Sequence, residues 1–418
     1  MITSNRAKPL YVYLQRPDTS EWVVVGRYQG DAARGVGSFQ YAPSYCDAGL
    51  AWPIDPVNLP FLMGAVHIAH RYGGLHDVLR DTCPDSWGQL LLRLKHDLPE
   101  RTSPVEYLRL VGNGDRWGAL AIGPTPKPSV AHLSSPKLHK LDELVAELLA
   151  ISERRPPVSA TLRKQLFATA SLGGARPKAT IQEGDAFWLV KPGLNTDTVD
   201  LALLEHATQQ LGREAGLRFA DTRHHVLVGG TSVVRVLRFD RCGARRIMAV
   251  SGASLLQVQY PFTTADDSKG ASYPRLAEEL KRIGAPKEDL EELFGRMIFN
   301  AMVGNDDDHP RNHAVIFVAS ENRWRLSPAF DVVPNPDENP ARLVMQVSAG
   351  RRDIEREAML ADYSRFGFAT KADAEEFLVT MVMRIHAGFA KARALLSLEL
   401  ARLMDARIAA NGTMLVPI

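Results

Sequence analysis

Cysteine is scarce: Cys46, Cys83 and Cys242 are the only three in 418 residues. An odd, widely spaced set supports no disulfide framework and fits a reducing compartment. No apolar run approaches the roughly 18 residues a membrane-spanning helix needs. Residues 1–6 (MITSNR) show no charged-then-apolar leader pattern, so a cytoplasmic protein with no membrane partner is expected. Net charge of either sign is also lacking. The 50 Lys and Arg against 48 Asp and Glu leave +2, which provides no basic footprint for direct nucleic-acid binding. No internal repeat is evident. A hydrophobic fraction of 45% beside 23% charged residues belongs to a folded chain rather than a disordered one. The length allows two or three domains.

Against this even background, acids and amides crowd into one place. Gly304-Asn305-Asp306-Asp307-Asp308-His309-Pro310-Arg311-Asn312-His313 holds more oxygen ligands and proton acceptors than a surface loop needs, which points to metal-assisted chemistry. Upstream, Leu290, Leu293, Phe294, Met297, Ile298, Ala301 and Met302 recur with helical spacing, and the helix should end near Gly304. Downstream, 314–318 and 323–326 flank Ala319-Ser320-Glu321-Asn322, which reads as a hairpin. Folding that hairpin returns Asn312 toward the segment carrying Asp331. The order Asp307, Asn312, hairpin, Asp331 resembles the catalytic apparatus of protein kinases, where one Asp handles the acceptor hydroxyl and the Asn and second Asp hold magnesium. A transferring phosphoryl group needs hard oxygen ligands and a positioned acceptor, not a covalent nucleophile. Asp307 is chosen over Asp306 and Asp308 by its spacing to Asn312. Two alternatives stay open: a merely solvated acidic loop, and a hydrolytic zinc site using His309, His313 and Asp307.

A nucleotide site should then lie earlier in the chain. Ser171-Leu172-Gly173-Gly174-Ala175-Arg176-Pro177-Lys178 is a small-residue loop before a strand at 179–181, and paired glycines let backbone approach phosphates closely. It lacks the Gly-Lys-Ser/Thr of a Walker loop, and a plain hairpin turn is the alternative. Lys191 sits near the end of a buried strand, 187–193. Glu205 rides on the next helix, where Leu204, Ala207, Leu211 and Ala215 share a face, so a strand lysine paired with a helix glutamate is available. The run 232–241 reads as a strand entering a polar joint, the place for a hinge between lobes.

Taken together, these blocks resemble the HipA family of bacterial serine/threonine kinase toxins. The resemblance rests on Ser-Leu-Gly-Gly-Ala-Arg-Pro-Lys at 171–178, Trp-Leu-Val-Lys-Pro-Gly at 188–193, Glu205 through Gly216-Leu217, Arg-Phe-Asp-Arg at 238–241, the 304–312 run, and Leu-Ser-Pro-Ala-Phe-Asp at 326–331. Asp81-Thr82-Cys83-Pro84-Asp85-Ser86-Trp87-Gly88 fits the family's N-terminal part. The resemblance implies an α+β fold: a small β-rich domain at 1–125, a linker with a helix at 126–160, a kinase-like mixed β nucleotide lobe at 161–241 and a helical lobe at 242–418. It implies ATP and magnesium as cofactors, Asp307 as catalytic residue, and Asn312 and Asp331 as metal ligands. Nucleotide contacts would come from Ser171, Gly173, Gly174, Ala175, Lys178, Lys191, Glu205, Phe239 and His309. Ser171 falls on the family's autophosphorylation position, where a phosphate would place nearly two negative charges beside those of ATP and switch the enzyme off. The implied partners are a small helix-turn-helix antitoxin resembling HipB, DNA only through that antitoxin, and a protein substrate such as an aminoacyl-tRNA synthetase. Leu237 stands where the family often carries an acid, which bears on nucleotide choice. A silent kinase-fold protein that sequesters a partner and a small-molecule kinase remain as other readings.

Local patterns complete the expectation. Short β-type runs at 10–14 and 22–25 precede helical patches at 61–72 and 85–95. A proline- and serine-rich linker spans 123–136, and 141–151 reads as an amphipathic helix. Thr370 and Asp373 resemble a capping box opening a helix over 371–387, and 390–409 reads as a further helix.

Overall fold

The computed structural model describes residues 8–31, 33–47, 49, 52–169 and 173–416. They form two compact units, the first up to Val190 together with Asp240–Val250, the second Lys191–Phe239 together with Ser251 onward. The fold class is α+β, as expected. No helix among the described residues is long and apolar enough to cross a membrane.

The first unit carries a five-stranded antiparallel sheet in the order His67–Ala69, Val36–Tyr41, Trp22–Asp31, Leu10–Gln15, Leu120–Gly123. Leu10–Gln15 has a strand on either side and is buried along nearly its whole length, so its side chains are apolar on both faces. A bulge at Val12/Tyr13 shifts its register against Trp22–Asp31. The helical patch expected at 61–72 is not a helix. His67–Ala69 is the edge strand of the sheet and Arg71–Gly73 a single tight turn, because sheet pairing outweighs a short apolar periodicity. The helix expected at 85–95 is present as Ser86–His96.

Arg116, 1% exposed, ties this unit together through Asn113 Oδ1 at 2.7 Å and the carbonyls of Thr82, Leu108 and Val111 at 3.1, 2.7 and 2.8 Å. Carbonyls left open at the end of helix Pro104–Leu110 thereby gain donors. Asp240 and Arg241, read from sequence as part of a hinge, are anchored in the same unit. Asp240 Oδ2 accepts from Gly118 N at 2.9 Å and from Arg241 at 2.7 Å. The chain passes between the units at Val190/Lys191, Phe239/Asp240 and Val250/Ser251.

The second unit is mainly helical after residue 251. Its central helix, Lys287–Val303, is buried over most of its length. It ends at Gly304, whose φ of +70° no β-carbon residue adopts readily. Asn411, from helix Leu398–Leu415, donates to the carbonyls of Ala301 and Met302 at 2.8 and 3.3 Å, so a distant side chain satisfies the last turn. Thr370 and Asp373 form the capping box of helix Lys371–Ala392. The helix expected at 390–409 is divided, since Ser397 caps a new helix at Leu398 after a short turn at Arg393–Leu395.

The hairpin is present as Ala314–Val318 paired antiparallel with Arg323–Leu326. Asp289, in the first turn of the central helix and fully buried, holds it in place. Its carboxylate accepts from Arg325 Nε at 2.9 Å, Leu326 N at 2.8 Å and Arg218 at 2.6 Å. Asp289→Ala is expected to lower stability by about 2–3 kcal/mol, below the usual figure for a broken buried pair because both arginines reach water. The midpoint of urea unfolding measures it.

Candidate functional site

Three acids in a row follow Gly304, and the fold gives each a different environment. Asp306 accepts from Asn335 Nδ2 at 3.0 Å, while Asn335 N donates to Gly304 O at 2.9 Å. Asp308 is 1% exposed and accepts from Tyr273 Oη at 2.8 Å and Val344 N at 2.6 Å. Burial pushes its carboxyl up to about 7 against those donors. Both acids therefore brace the loop. Asp307 between them has a side chain 71% exposed. Crowding by the surrounding protein, then the charge of Asp331, push its carboxyl up to about 6, with the Tyr260 hydroxyl acting the other way.

Asn312 closes the loop. It lies in the tight turn Pro310–Asn312, and its Nδ2 donates to Asp307 O at 2.9 Å and to Asp331 O at 3.5 Å. Those two bonds bring the 307 and 331 segments together. Asp331 reaches this position because Leu326 leaves the hairpin into a short parallel pairing, with Ala329 N on Arg218 O at 2.7 Å and Ala220 N on Ala329 O at 2.9 Å. Arg296 of the central helix adds a bond to Ser327 O at 2.7 Å. Asp331 itself has φ of +57°, a left-handed conformation that Asp tolerates better than most residues.

Lys191 joins this cluster. Its Nζ lies 2.6 Å from Asp331 Oδ1 and 2.7 Å from Glu205 Oε1. Glu205 is buried on helix Leu201–Glu214 and also accepts from Gln209 Nε2 at 2.9 Å. Burial works against the ammonium, but Asp331 and Glu205 outweigh it and hold Lys191 above its ordinary value. Phe239 packs against Phe330, the residue before Asp331, with ring centroids 5.2 Å apart. His309 stacks on Tyr260 at 4.0 Å, its Nε2 3.8 Å from Asp307 Oδ1. In this unit the structure thus gathers Lys191, Glu205, Phe239, Asp307, His309, Asn312 and Asp331.

The zinc alternative fails. Among the described residues no three His, Cys, Asp or Glu side chains gather to hold a metal. His309 and His313 flank a tight turn, both in extended conformation, so they do not share a helix face. His313 is buried edge-on to Tyr273 at 5.2 Å, and burial, then Arg296 and His309, push its imidazole down to about 3.

The glycine loop belongs to the first unit. Ser171 lies outside the described residues, as does Leu172. Gly173, Gly174, Ala175 and Lys178 follow helix Ala160–Ala168, so the loop is not the turn of a hairpin. Gly174 has φ of +85°, and a β-carbon there would collide with the Lys178 ammonium. The start of helix Ser86–His96 clamps the loop: Gly174 N donates to Asp85 Oδ2 at 3.1 Å, Trp87 N to Gly174 O at 3.0 Å, and Trp87 Nε1 to Lys178 O at 2.9 Å. Arg80 in turn holds Asp85 at 2.6 Å. Sequence reasoning assigned Asp85 and Trp87 no such role. The available signal was an Asp-Ser pair opening a helix, and it carries no information about a loop 89 positions away.

Known proteins are similar to this chain in sequence and in fold. The family model described as HipA-like C-terminal domain matches residues 170–389, just over half of the chain. A curated Haemophilus influenzae protein named "Putative kinase" is 26% identical over 196 residues, 41% of this chain and 55% of that protein. The chain thus spans about half the length of that curated relative. A chain of the Shewanella oneidensis MR-1 toxin-antitoxin complex of HipA, HipB and operator DNA aligns with a TM-score of 0.70 at 18% identity, covering 97% of this chain and 96% of that one. At that identity the likeness is one of fold.

Proposed function

This chain belongs to the family of HipA-like C-terminal domains, and from that premise we propose that it is an ATP-dependent serine/threonine protein kinase, the toxin of a toxin-antitoxin pair. The observation that carries the reading is Lys191 bridging Glu205 and Asp331 while the Asn312 amide binds the backbone of both Asp307 and Asp331. Lysine, glutamate, asparagine and two aspartates in these relations are what a kinase uses to orient phosphates and an acceptor.

The residues fit a hard divalent cation. Asp331 contributes a carboxylate and Asn312 an amide oxygen, the donor types magnesium takes. Asp331 and Asn312 would hold magnesium, whose positive charge would offset that developing in transfer. Lys191 would face the nucleotide phosphates as a fixed cation. Asp307, outermost of the three acids, would orient the acceptor hydroxyl and take up its proton. Gly173, Gly174, Ala175 and Lys178 are proposed as nucleotide contacts on the family resemblance alone. Asp85→Ala is expected to lower stability by about 2–3 kcal/mol, because it strands the mostly buried Arg80 and releases the Gly174 N–H. The midpoint of urea unfolding measures it.

The toxin role, a HipB-like antitoxin and DNA contact through that antitoxin are carried from the family and from the named Shewanella complex. The near-neutral charge supports an indirect rather than direct approach to DNA. A translation component such as an aminoacyl-tRNA synthetase is the proposed protein substrate, and Ser171 the proposed autophosphorylation site. The test is incubation of the purified chain with γ-labelled ATP and magnesium. Label on the chain at Ser171, or on an added protein, supports the reading. ATP binding with no transfer to any protein would replace it with that of a silent, partner-sequestering fold.

A further inference from the structure

Asp307 presents a positional problem. Its neighbours are locked, Asp306 on Asn335 and Asp308 under Tyr273 and Val344 N, whereas the Asp307 carboxylate projects from the loop with its side chain 71% exposed. A group that must meet an acceptor hydroxyl within hydrogen-bond reach cannot sample all its rotamers without losing rate. The side chain that addresses it is Tyr260, whose Oη lies 3.4 Å from Asp307 Oδ1.

Tyr260 is itself well fixed. One ring face stacks on His309 at 4.0 Å, and Phe262 meets it edge-on at 5.1 Å. Phe262 lies under the Arg352 guanidinium at 5.8 Å, and Arg352 bonds Ser268 O at 2.7 Å and Ser268 Oγ at 2.5 Å. A chain of contacts thus runs from a charge anchored on one side, through two aromatic rings, to a single hydroxyl aimed at the carboxylate. His309 comes from the acidic loop itself, so the stack also ties that loop to the 260–262 segment. Neither contact involves Asn312, Asp331 or Lys191, and His309 is the one proposed nucleotide contact that the device shares.

We infer that Tyr260 is a positioning residue for phosphoryl transfer, its hydroxyl setting the Asp307 carboxylate toward the acceptor while its ring, stacked on His309, holds the loop. This rests on the kinase reading. The Tyr260 hydroxyl touches neither nucleotide nor cation in this scheme, so its removal with the His309 stack kept acts on turnover and leaves ATP binding alone.

The experiment compares wild type, Tyr260→Phe and Tyr260→Ala in steady-state transfer from γ-labelled ATP, with ATP affinity and the unfolding midpoint measured on each. Tyr260→Phe keeps the stack and is expected to lower kcat about tenfold, with KM for ATP within twofold and the midpoint unchanged. Tyr260→Ala, which loses stack and hydroxyl, should lower kcat about 100-fold, the scale of a misplaced reacting group. An unchanged kcat in Tyr260→Phe beside an active wild type would overturn the inference alone. So would a Tyr260→Phe loss that appears in ATP affinity or in the unfolding midpoint rather than in kcat. Absence of transfer in the wild type with ATP bound would remove the kinase reading, and this inference with it.

Discussion

Asp307→Ala is expected to reduce phosphoryl transfer by about 10²- to 10⁴-fold, the usual contribution of a positioned acid or base, while ATP binding is retained. The expectation follows from how the three neighbouring acids differ. Asp308 is buried and bonded to Tyr273 and Val344, so its removal would disturb the loop and confound any kinetic reading. Asp306 is engaged with Asn335. Asp307 alone of the three is exposed, and removing its carboxylate leaves the loop's other anchors in place. Its backbone carbonyl, which Asn312 binds at 2.9 Å, survives the substitution. Single-turnover transfer and ATP affinity, measured on the same preparation, separate the two effects. Near-normal transfer by Asp307→Ala would exclude the assignment and move attention to its neighbours.

Lys191→Ala should be the most damaging change to stability as well as to nucleotide binding. The ammonium is the common partner of Glu205 and Asp331. Without it, buried Glu205 keeps Gln209 but loses its counter-charge, and breaking a buried pair in this way costs about 3–5 kcal/mol. Asp331 would lose one anchor as well. Adding Glu205→Gln to Lys191→Ala should recover part of the loss, because the stranded charge disappears, and a double-mutant cycle isolates that coupling. The sign of the pH dependence also follows. Lys191 is held above its ordinary value in the folded state, so its contribution is fully present below the unfolded lysine value of about 10.4 and is lost only as pH rises beyond it through the folded one. The gap between wild type and variant should therefore stay level through neutral pH. Guanidinium unfolding at several pH values checks it. A gap below about 1 kcal/mol, the range of exposed ion pairs, would show that the site does not depend on this lysine.

Much of the site was legible in the chain because its parts are short and dense. The spacing of Asp307, Asn312 and Asp331 around a hairpin depends on local turns, and the helix ending at Gly304 was readable from periodicity. Lys191 and Glu205 could be named, but that they pair was decided only once strand and helix were placed. The 61–72 segment misled for a physical reason: its apolar spacing is satisfied by an edge strand whose pairing partners, at 36–41, lie well upstream. The break at 393–397 was hidden because alanine and leucine continue on both sides of it.

By itself the sequence determined which chemical groups are present and in what order: a small-residue loop, a strand lysine, a helix glutamate, then acids and amides around a hairpin. Such information is local, carried by spacing and by residues that favour turns and caps. Only the tertiary structure decided how three consecutive acids divide their work, that Asp85 and Trp87 grip the glycine loop, and that Tyr260 faces Asp307. These depend on partners 29 to 91 positions apart. Burial, hydrogen bonding and charge act through space, and no local pattern in a chain records which distant residue will supply them.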